Sequence, residues 1–378
     1  MPASRESGLP GRSAGRYTPP AVSLAEVSPV WVVGCGAVGG VLGARLTVPV
    51  TGDGRESGGD TRPWLICRPG RHLDAIRAGG LRVEGIRGTA TAPVRAVGDP
   101  AEAPGTPGTV LLAVKAGDVE VACKGLLDRL GPRTSVVSLQ NGLVQERVAA
   151  IVGRGRTLAA SIGWGATLAG PGRVVQTSRG HTTIGELDGR VTPRLLALRA
   201  LLAAAERVRV STNIAGTLWS KLIINSATST LGAVTGLTLG AMLRVARVRR
   251  VARRLVAESI RVADAEGVRL EPFGGWVDLR WIAWREGGGL AARLHNARGG
   301  AVLLAAASRY RRLRSVMLQD LERGRPTEVD EFNGVLVARG AARGVPTPLN
   351  AALVDMVHEI ERGLRASRLE NLAPLERL

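Results

Sequence analysis

Lys221, Asn225 and Ser229 recur at every fourth position of GTLWSKLIINSATST, residues 216–230. On a helix this spacing stacks three polar side chains on one face, with only about 40° of drift per step. Leu222, Ile223 and Ile224 lie between the first two, so the polar stripe runs along an otherwise apolar helix. A lysine drawn out of water has its ammonium destabilised; its pKa falls towards working pH and it becomes a competent general acid. Arginine stays charged and releases no proton usefully. That difference bears on a chain whose 51 Lys plus Arg include only three lysines, Lys115, Lys124 and Lys221. The alternative for Lys221 is a side chain whose amine simply reaches solvent.

A second candidate opens at PVWVVGCGAVGGVLGARL, residues 29–46. The apolar run Val30 to Val33 reads as a buried parallel strand, and it leads into Gly34, Cys35, Gly36, Ala37, Val38 and Gly39 before a helical pattern. This is G-x-G-x-x-G in a strand–turn–helix setting. Gly34 permits the tight turn, Gly36 lets a pyrophosphate approach the backbone, and Gly39 allows close helix packing, with the helix N-terminus facing the phosphates. The following strand, PWLICRPGRH, ends in Arg68 where an acidic residue would grip a ribose 2′-hydroxyl. A guanidinium suits a 2′-phosphate, which favours NADP over NAD, with Arg71 as a second contact. The segment from 47 to 62, rich in turn formers, lengthens this unit and reads as a surface insertion. Two further strand ends, at Lys115 in TVLLAVKA and at Asn141 in TSVVSLQNGL, point towards the same crevice, because ligands of open parallel sheets lie outside the strands' carboxyl ends. For either residue alone, an ordinary loop role is an equal alternative.

Such a site needs a scaffold, and 378 residues with 45% hydrophobic side chains suffice for two packed domains. We expect a terminal arm at 1–28, a Rossmann-type α/β dinucleotide-binding domain at 29–210, and an all-α catalytic domain at 211–378, where Ala- and Leu-rich helical patterns replace the strand–turn alternation. The arm is rich in Pro, Ser, Gly and Arg, has no apolar core of a signal peptide, and reads as disordered. The net charge of +19 raises nucleic acid as a partner. The cations, however, are spread along the chain and aromatics make up only 3%, so neither a binding motif nor a base-stacking platform accompanies them. RVARVRRVARR, residues 244–254, reads as a solvated helix face. Cys35, Cys67 and Cys123 form no paired framework and the histidines are scattered, which predicts a reducing, cytoplasmic setting and no metal site. No apolar run is long enough to span a bilayer. Residues 360–378 suggest an amphipathic helix, and apolar helix faces make a homodimer plausible.

In RSVMLQDLERGRPTEVDEFNGVLV, residues 314–337, Pro326 suits a first helical position and Glu328 and Asp330 the first turn, where the helix dipole favours carboxylates. With that stretch the chain resembles the ketopantoate reductases (2-dehydropantoate 2-reductases). The resemblance rests on GCGAVGG, Lys115 in VKA, QNG at 140–142, GRVVQTSRGHTTIGE at 172–186, WSKLIIN at 219–225 and MLQDLERGRPTEVDEFNG at 317–334. It implies an N-terminal Rossmann domain, a C-terminal helical domain of the 6-phosphogluconate-dehydrogenase type, and NADPH-dependent reduction of the ketone of ketopantoate to pantoate, on the route to coenzyme A, in the cleft between them. By position it implies Lys221 as general acid, Glu328 as the acidic substrate-binding partner, Asn141 and Asn225 as polar groups on the substrate, and Lys115 beside the cofactor with Gly34, Gly36, Gly39 and Arg68. Two departures concern the substrate: Ser229 stands where a second Asn is common, and Val316 where a Ser is common, with Ser315 one place earlier. One residue of displacement turns a helical side chain by about 100°. The readings that compete are reduction of another 2-oxo acid or of a derived imine, and an NADP-binding sensor without catalysis.

Overall fold

The computed structural model describes residues 24–48, 62–308, 310, 311 and 313–378. Of the expected arm, residues 1–23 lie outside the described residues, while Leu24–Glu26 form a short 3-10 turn and Val27 is buried. Nearly all of the expected insertion, residues 49–61, also lies outside them.

Short apolar runs without alternation become strands covered on both faces. Four of them are buried along their whole length: β1 (Val30–Val33) and, further along the chain, Thr109–Leu112, Ser135–Ser138 and Thr157–Ile162. The strands in chain order are β1, β2 (Trp64–Ile66), β3 (Leu81–Gly85), β4 (Ala90–Ala92), β5 (Arg95–Val97), β6 (Thr109–Leu112), β7 (Ser135–Ser138), β8 (Thr157–Ile162), β9 (Ala166–Gly170), β10 (Arg173–Gln176), β11 (Thr182–Glu186) and β12 (Val208–Val210). Among the described residues an eight-stranded sheet runs β12-β11-β8-β7-β6-β1-β2-β5. It is parallel except where β11 meets β8. A second sheet, β4-β3-β10-β9, packs on the first helix, α1 (Ala37–Thr47). α2 (Arg71–Gly79), α3 (Val119–Leu126), α4 (Gln145–Val152) and α5 (Pro193–Ala203) complete the α/β layer. The chain order reverses at β1, which has β2 on one side and β6 on the other; that is the switch point at which such sheets open a crevice.

Beyond β12 the chain is helical: α6 (Ile214–Thr235), α7 (Leu239–Arg244), α8 (Ala246–Ala265), α9 (Leu279–Ile282), α10 (Leu290–Ala306), α11 (Val316–Glu322), α12 (Val335–Ala342), α13 (Pro348–Glu361) and α14 (Leu372–Arg377). The expected class, a Rossmann-type α/β domain followed by an all-α domain, is the one observed. At the centre of the helical part is α6, its start capped by Asn213 Oδ1 accepting from Gly216 N and its end turned by Gly236 at φ +71°. Its Leu222, Ile223, Ala227 and Leu231 share one core with Val251 and Leu255 of α8 and Leu353 of α13. Leu143, from the α/β half, is buried in that same core and anchors one half to the other.

Three expectations need correction. The stretch 244–254 is not uniformly solvated: Arg253 is buried and donates to the carbonyls of Ile282 and Ala283, at the end of α9, and to that of Asn296 within α10. The tail is not one helix, since α13 ends at Glu361 and a separate short α14 buries Leu372 and Leu375. Cys35 and Cys67, read as unpaired thiols, are joined in a disulfide, because β1 and β2 are parallel neighbours and bring their two ends together.

Candidate active site

The glycines of the first turn divide their work as their spacing implies. Gly34 has φ +97°, and a Cβ there would meet the Val114 amide nitrogen at 2.6 Å, so the turn presses on the end of β6. At Gly39 a Cβ would lie 2.0 Å from the Gly34 carbonyl oxygen and 2.9 Å from Ala113 Cβ. Gly36 is the reverse, with nothing within 4 Å of a Cβ. This leaves open space over backbone at the N-terminus of α1, a shape that fits a dinucleotide's pyrophosphate. Ala37 and Val38 begin the helix. The turn is held from behind: Gly34 N donates to Ile66 O, and His72 donates from Nε2 to Cys35 O while accepting at Nδ1 from Gly172 N. Arg68, just past β2, is well exposed and pairs with Asp118 at 2.9 Å. Arg71 opens α2 and is exposed. Asp118 carries no signal in the sequence that marks it as the partner of Arg68.

From the far side of the crevice the helical domain presents its carboxylates. Lys115 Nζ lies 3.5 Å from Asp320 Oδ2 of α11. The Asn141–Gly142 turn fits against the Glu331 backbone, whose carbonyl oxygen would lie 2.9 Å from a Cβ on Gly142, a position at φ +83°. The Asn141 amide lies near enough to Glu328 to favour its carboxylate form. Arg147 donates to both Ala116 O and Glu331 Oε1 at 2.9 Å. Burial raises the Glu328 carboxyl above its usual range; Lys115 and the Asn141 amide oppose the rise, and the like charges of Asp320 and Glu331 add to it. Lys221 stands on α6 within the field of Glu328. The residue keeps some exposure yet its amine is closely surrounded by protein, and this desolvation lowers its pKa from 10.5 to about 8, with Glu328 pulling the other way. Asn225 follows one turn on and is partly accessible, whereas Ser229, a further turn along, is buried.

The segment carrying Glu328 differs from expectation. Pro326 is not the first helical residue: Thr327 N is tied to Glu361 Oε1, and the helix opens after Glu328, whose carbonyl accepts from Phe332 N. Asp330–Gly334 then form a π-helical turn before α12. Glu328 is thus the residue before the helix, and its carboxyl lies within the influence of Lys115 and Asn141 of the α/β half. The π-turn drives Asn333 into the interior, fully buried. Asn333 accepts from Thr230 Oγ1 at 2.5 Å and donates to Ser226 O at 3.1 Å and to Asn350 Oδ1 at 2.9 Å. Asn350 Nδ2 donates in turn to Glu258 Oε1 at 2.7 Å. A buried polar chain therefore clamps the Glu328 segment to α6 between the turns that carry Asn225 and Ser229. Sequence reading passes over Asn333, because nothing local in VDEFNG marks its amide as buried; the π-turn decides that. Removing it strands several buried groups, so Asn333→Ala should lower the unfolding free energy by about 1–3 kcal/mol, read as a drop in the urea midpoint; an unchanged midpoint would contradict the clamp.

Ser315 is also used otherwise than expected. Its Oγ accepts from Leu318 N at 3.2 Å, capping α11, and donates to Ser229 O at 3.0 Å. The hydroxyl is committed to helix and backbone, which withdraws Ser315 from the set free to grip a substrate. Val316 next to it is 49% exposed and lies one turn before Asp320, hence on the helix face that meets Lys115. Among the described residues no group of His, Cys, Asp and Glu is placed to hold a metal, and no helix is long and apolar enough to cross a membrane.

Comparison with known proteins gives this arrangement a setting. Residues 30–189 match the family described as "Ketopantoate reductase PanE/ApbA", and residues 213–361 match its C-terminal domain. A 2-dehydropantoate 2-reductase of Archaeoglobus fulgidus is 29% identical over 340 residues, covering 90% of this chain and 100% of its own. The crystal structure of a PanE/ApbA family ketopantoate reductase from Ralstonia eutropha JMP134 is 32% identical, covers 88% of this chain and 98% of its own, and superposes with a TM-score of 0.72. A D-mandelate dehydrogenase solved with NADH and anilino(oxo)acetate, 22% identical and covering 89% of this chain and 99% of its own, shares the fold at a TM-score of 0.72.

Proposed function

Since the chain belongs to the ketopantoate reductase PanE/ApbA family and is thereby an oxidoreductase acting on CH–OH groups with a nicotinamide dinucleotide, we propose that it uses NADPH to reduce the ketone of ketopantoate (2-dehydropantoate) to pantoate, a step towards pantothenate and coenzyme A. The observation that carries the reading is the meeting of Lys221, Glu328, Asn141 and Lys115 in one cleft, beside a glycine turn whose outer face is open. The reduced nicotinamide supplies the hydride when bound. The chain's own residues do the remaining work. Gly34, Cys35, Gly36, Ala37, Val38 and Gly39 receive the pyrophosphate, Arg68 meets the 2′-phosphate, and Lys115 and Asn141 border the nicotinamide end. Asn225 and Glu328 orient the substrate. Lys221, held near its titration point by burial, donates the proton to the carbonyl oxygen as charge develops there. Lys115 is paired with Asp320 of the helical half at 3.5 Å.

Arg68 offers the sharpest check on the cofactor. Its guanidinium is exposed and pairs across the surface with Asp118, so a phosphate can replace the carboxylate without a desolvation cost of the kind a buried pair carries. Arg68→Ala should weaken NADPH by about 10-fold or more while NADH changes little, each measured by fluorescence titration; equal losses for both would remove the 2′-phosphate assignment. A second reading, reduction of a different 2-oxo acid, is favoured by the committed hydroxyl of Ser315 and the apolar Val316 on the cleft face. NADPH consumption against ketopantoate and a panel of 2-oxo acids with apolar side chains separates the two. Absence of turnover on every member would overturn the enzymatic proposal.

A further inference from the structure

We propose that Cys35 and Cys67 are a reversible thiol–disulfide site through which the redox state of surrounding thiols sets the affinity of the dinucleotide turn; this rests on the cofactor reading above. The bond joins two pieces that would touch opposite ends of the dinucleotide's adenosine half. Cys35 lies between Gly34, wedged against β6, and Gly36, open for the pyrophosphate, while Cys67 directly precedes Arg68. Their Cα atoms are 5.2 Å apart and 32 residues separate them in sequence. Both residues are buried, so the bond is a tie inside the turn and not a surface staple.

The tie acts on geometry because its surroundings leave little slack. Bonded sulfurs sit about 2.05 Å apart, whereas two unbonded thiols need roughly 3.5 Å or more. On one side the turn cannot retreat: a single added carbon at Gly34 would meet Val114 N at 2.6 Å and Ala113 C at 2.8 Å. On the other side β2 is held between β1 and β5, and Cys67 N donates to Val97 O. Opening the bond therefore displaces the parts with the least packing around them, the outer turn at Gly36, where a Cβ would meet nothing within 4 Å, and the exposed chain at Arg68. The cross-linked form is the one with the open cradle, so it is the form that binds the dinucleotide more tightly.

The chemistry balances with a dithiol as reductant. Its thiolate attacks one sulfur of the pair, forming a mixed disulfide and releasing the other as a thiolate that takes up a proton. The reductant's second thiol then displaces the remaining cysteine, and two electrons and two protons have passed to the protein while the dithiol has become a disulfide. Attack requires the turn to open, and a bound dinucleotide covers it. By linkage, the factor by which oxidation tightens NADPH is the factor by which NADPH protects the bond. Cys123 takes no part: it is free, buried on α3, and burial pushes its thiol up to about 11, where it stays protonated.

The full-length chain is equilibrated with either reduced or oxidised dithiothreitol, quenched in acid and alkylated in denaturant. One alkylated thiol is expected after oxidation and three after reduction, by intact mass. NADPH should bind the oxidised form about tenfold more tightly than the reduced one, within the range of roughly 5–150-fold usual for coupled sites. Saturating NADPH should shift the dithiol ratio at half-reduction by the same factor, and the redox dependence of binding should vanish in Cys67→Ser. Three alkylated thiols under oxidising conditions, or equal affinities of the two forms of the unaltered chain, overturns the proposal while leaving the cofactor reading intact. Failure of both forms to bind NADPH overturns both. The comparison of the two redox forms needs no variant, so it stands even if Cys67→Ser does not fold.

Discussion

Lys221→Arg is expected to lower turnover by about 10²–10⁴-fold while NADPH binding remains measurable, because the substitution keeps the charge and removes the transferable proton. The unaltered protein should show the counterpart in its pH profile. With the Lys221 pKa near 8, the ammonium that donates the proton is present below that pH, so the reductive rate should be flat there and fall tenfold per unit above it. The reverse oxidation, which needs the free amine as base, should rise over the same range. The same shift has a sign for stability. Unfolded lysine titrates at 10.5 and the folded one at about 8, so between these values the unfolded chain binds more protons and stability rises with pH. Below pH 8 the folded protein carries the whole burden of a desolvated ammonium, roughly 3 kcal/mol for a shift of this size. Lys221→Met should accordingly be inactive yet melt higher at pH 7. Full activity in Lys221→Arg, or a profile without a limb between pH 7 and 9.5, would defeat the assignment.

Gly39→Ala should remove dinucleotide binding altogether, with losses above about 100-fold, and should lower the melting temperature. The added carbon would stand 2.0 Å from the Gly34 carbonyl oxygen and 2.9 Å from Ala113 Cβ, so turn and helix must part before it fits. Gly36→Ala makes the instructive contrast. Nothing lies within 4 Å of its Cβ, so the fold should melt normally while the methyl intrudes where the pyrophosphate must come. Thermal melts and NADPH titrations of the two variants, side by side, separate a glycine required for packing from one required for access. Normal binding by Gly39→Ala would mean that the turn yields more readily than its backbone contacts allow.

Much of this protein was legible from one dimension, because the features concerned are themselves local. VWVV becomes a buried strand and GCGAVG a turn with Gly34 at positive φ, since both follow from the conformations open to a few adjacent residues. Lys221, Asn225 and Ser229 lie on α6 as their spacing requires, because helical geometry acts over one turn. What the spacing could not say is how deep each would sit, and Ser229 proves to be buried while Asn225 stays partly accessible.

The remainder was decided by packing between distant parts of the chain. Lys115 meets Asp320 across 205 residues and Arg147 meets Glu331 across 184, pairings that no local pattern encodes. The start of the helix after Glu328 moved because Thr327 is bound to Glu361 and Asn333 is drawn into the buried chain around Thr230, tertiary demands that override the preference of Pro326 for a first turn. The cysteines counted as unpaired because counting ignores that parallel strands bring their carboxyl ends side by side. By itself the sequence determined the turn, the helix and the identity of the groups able to do chemistry, since short-range sterics and periodicity suffice for those. Only the tertiary structure decided which of them face one another, because desolvation and the fields of neighbouring charges exist only once two domains have closed around the cleft.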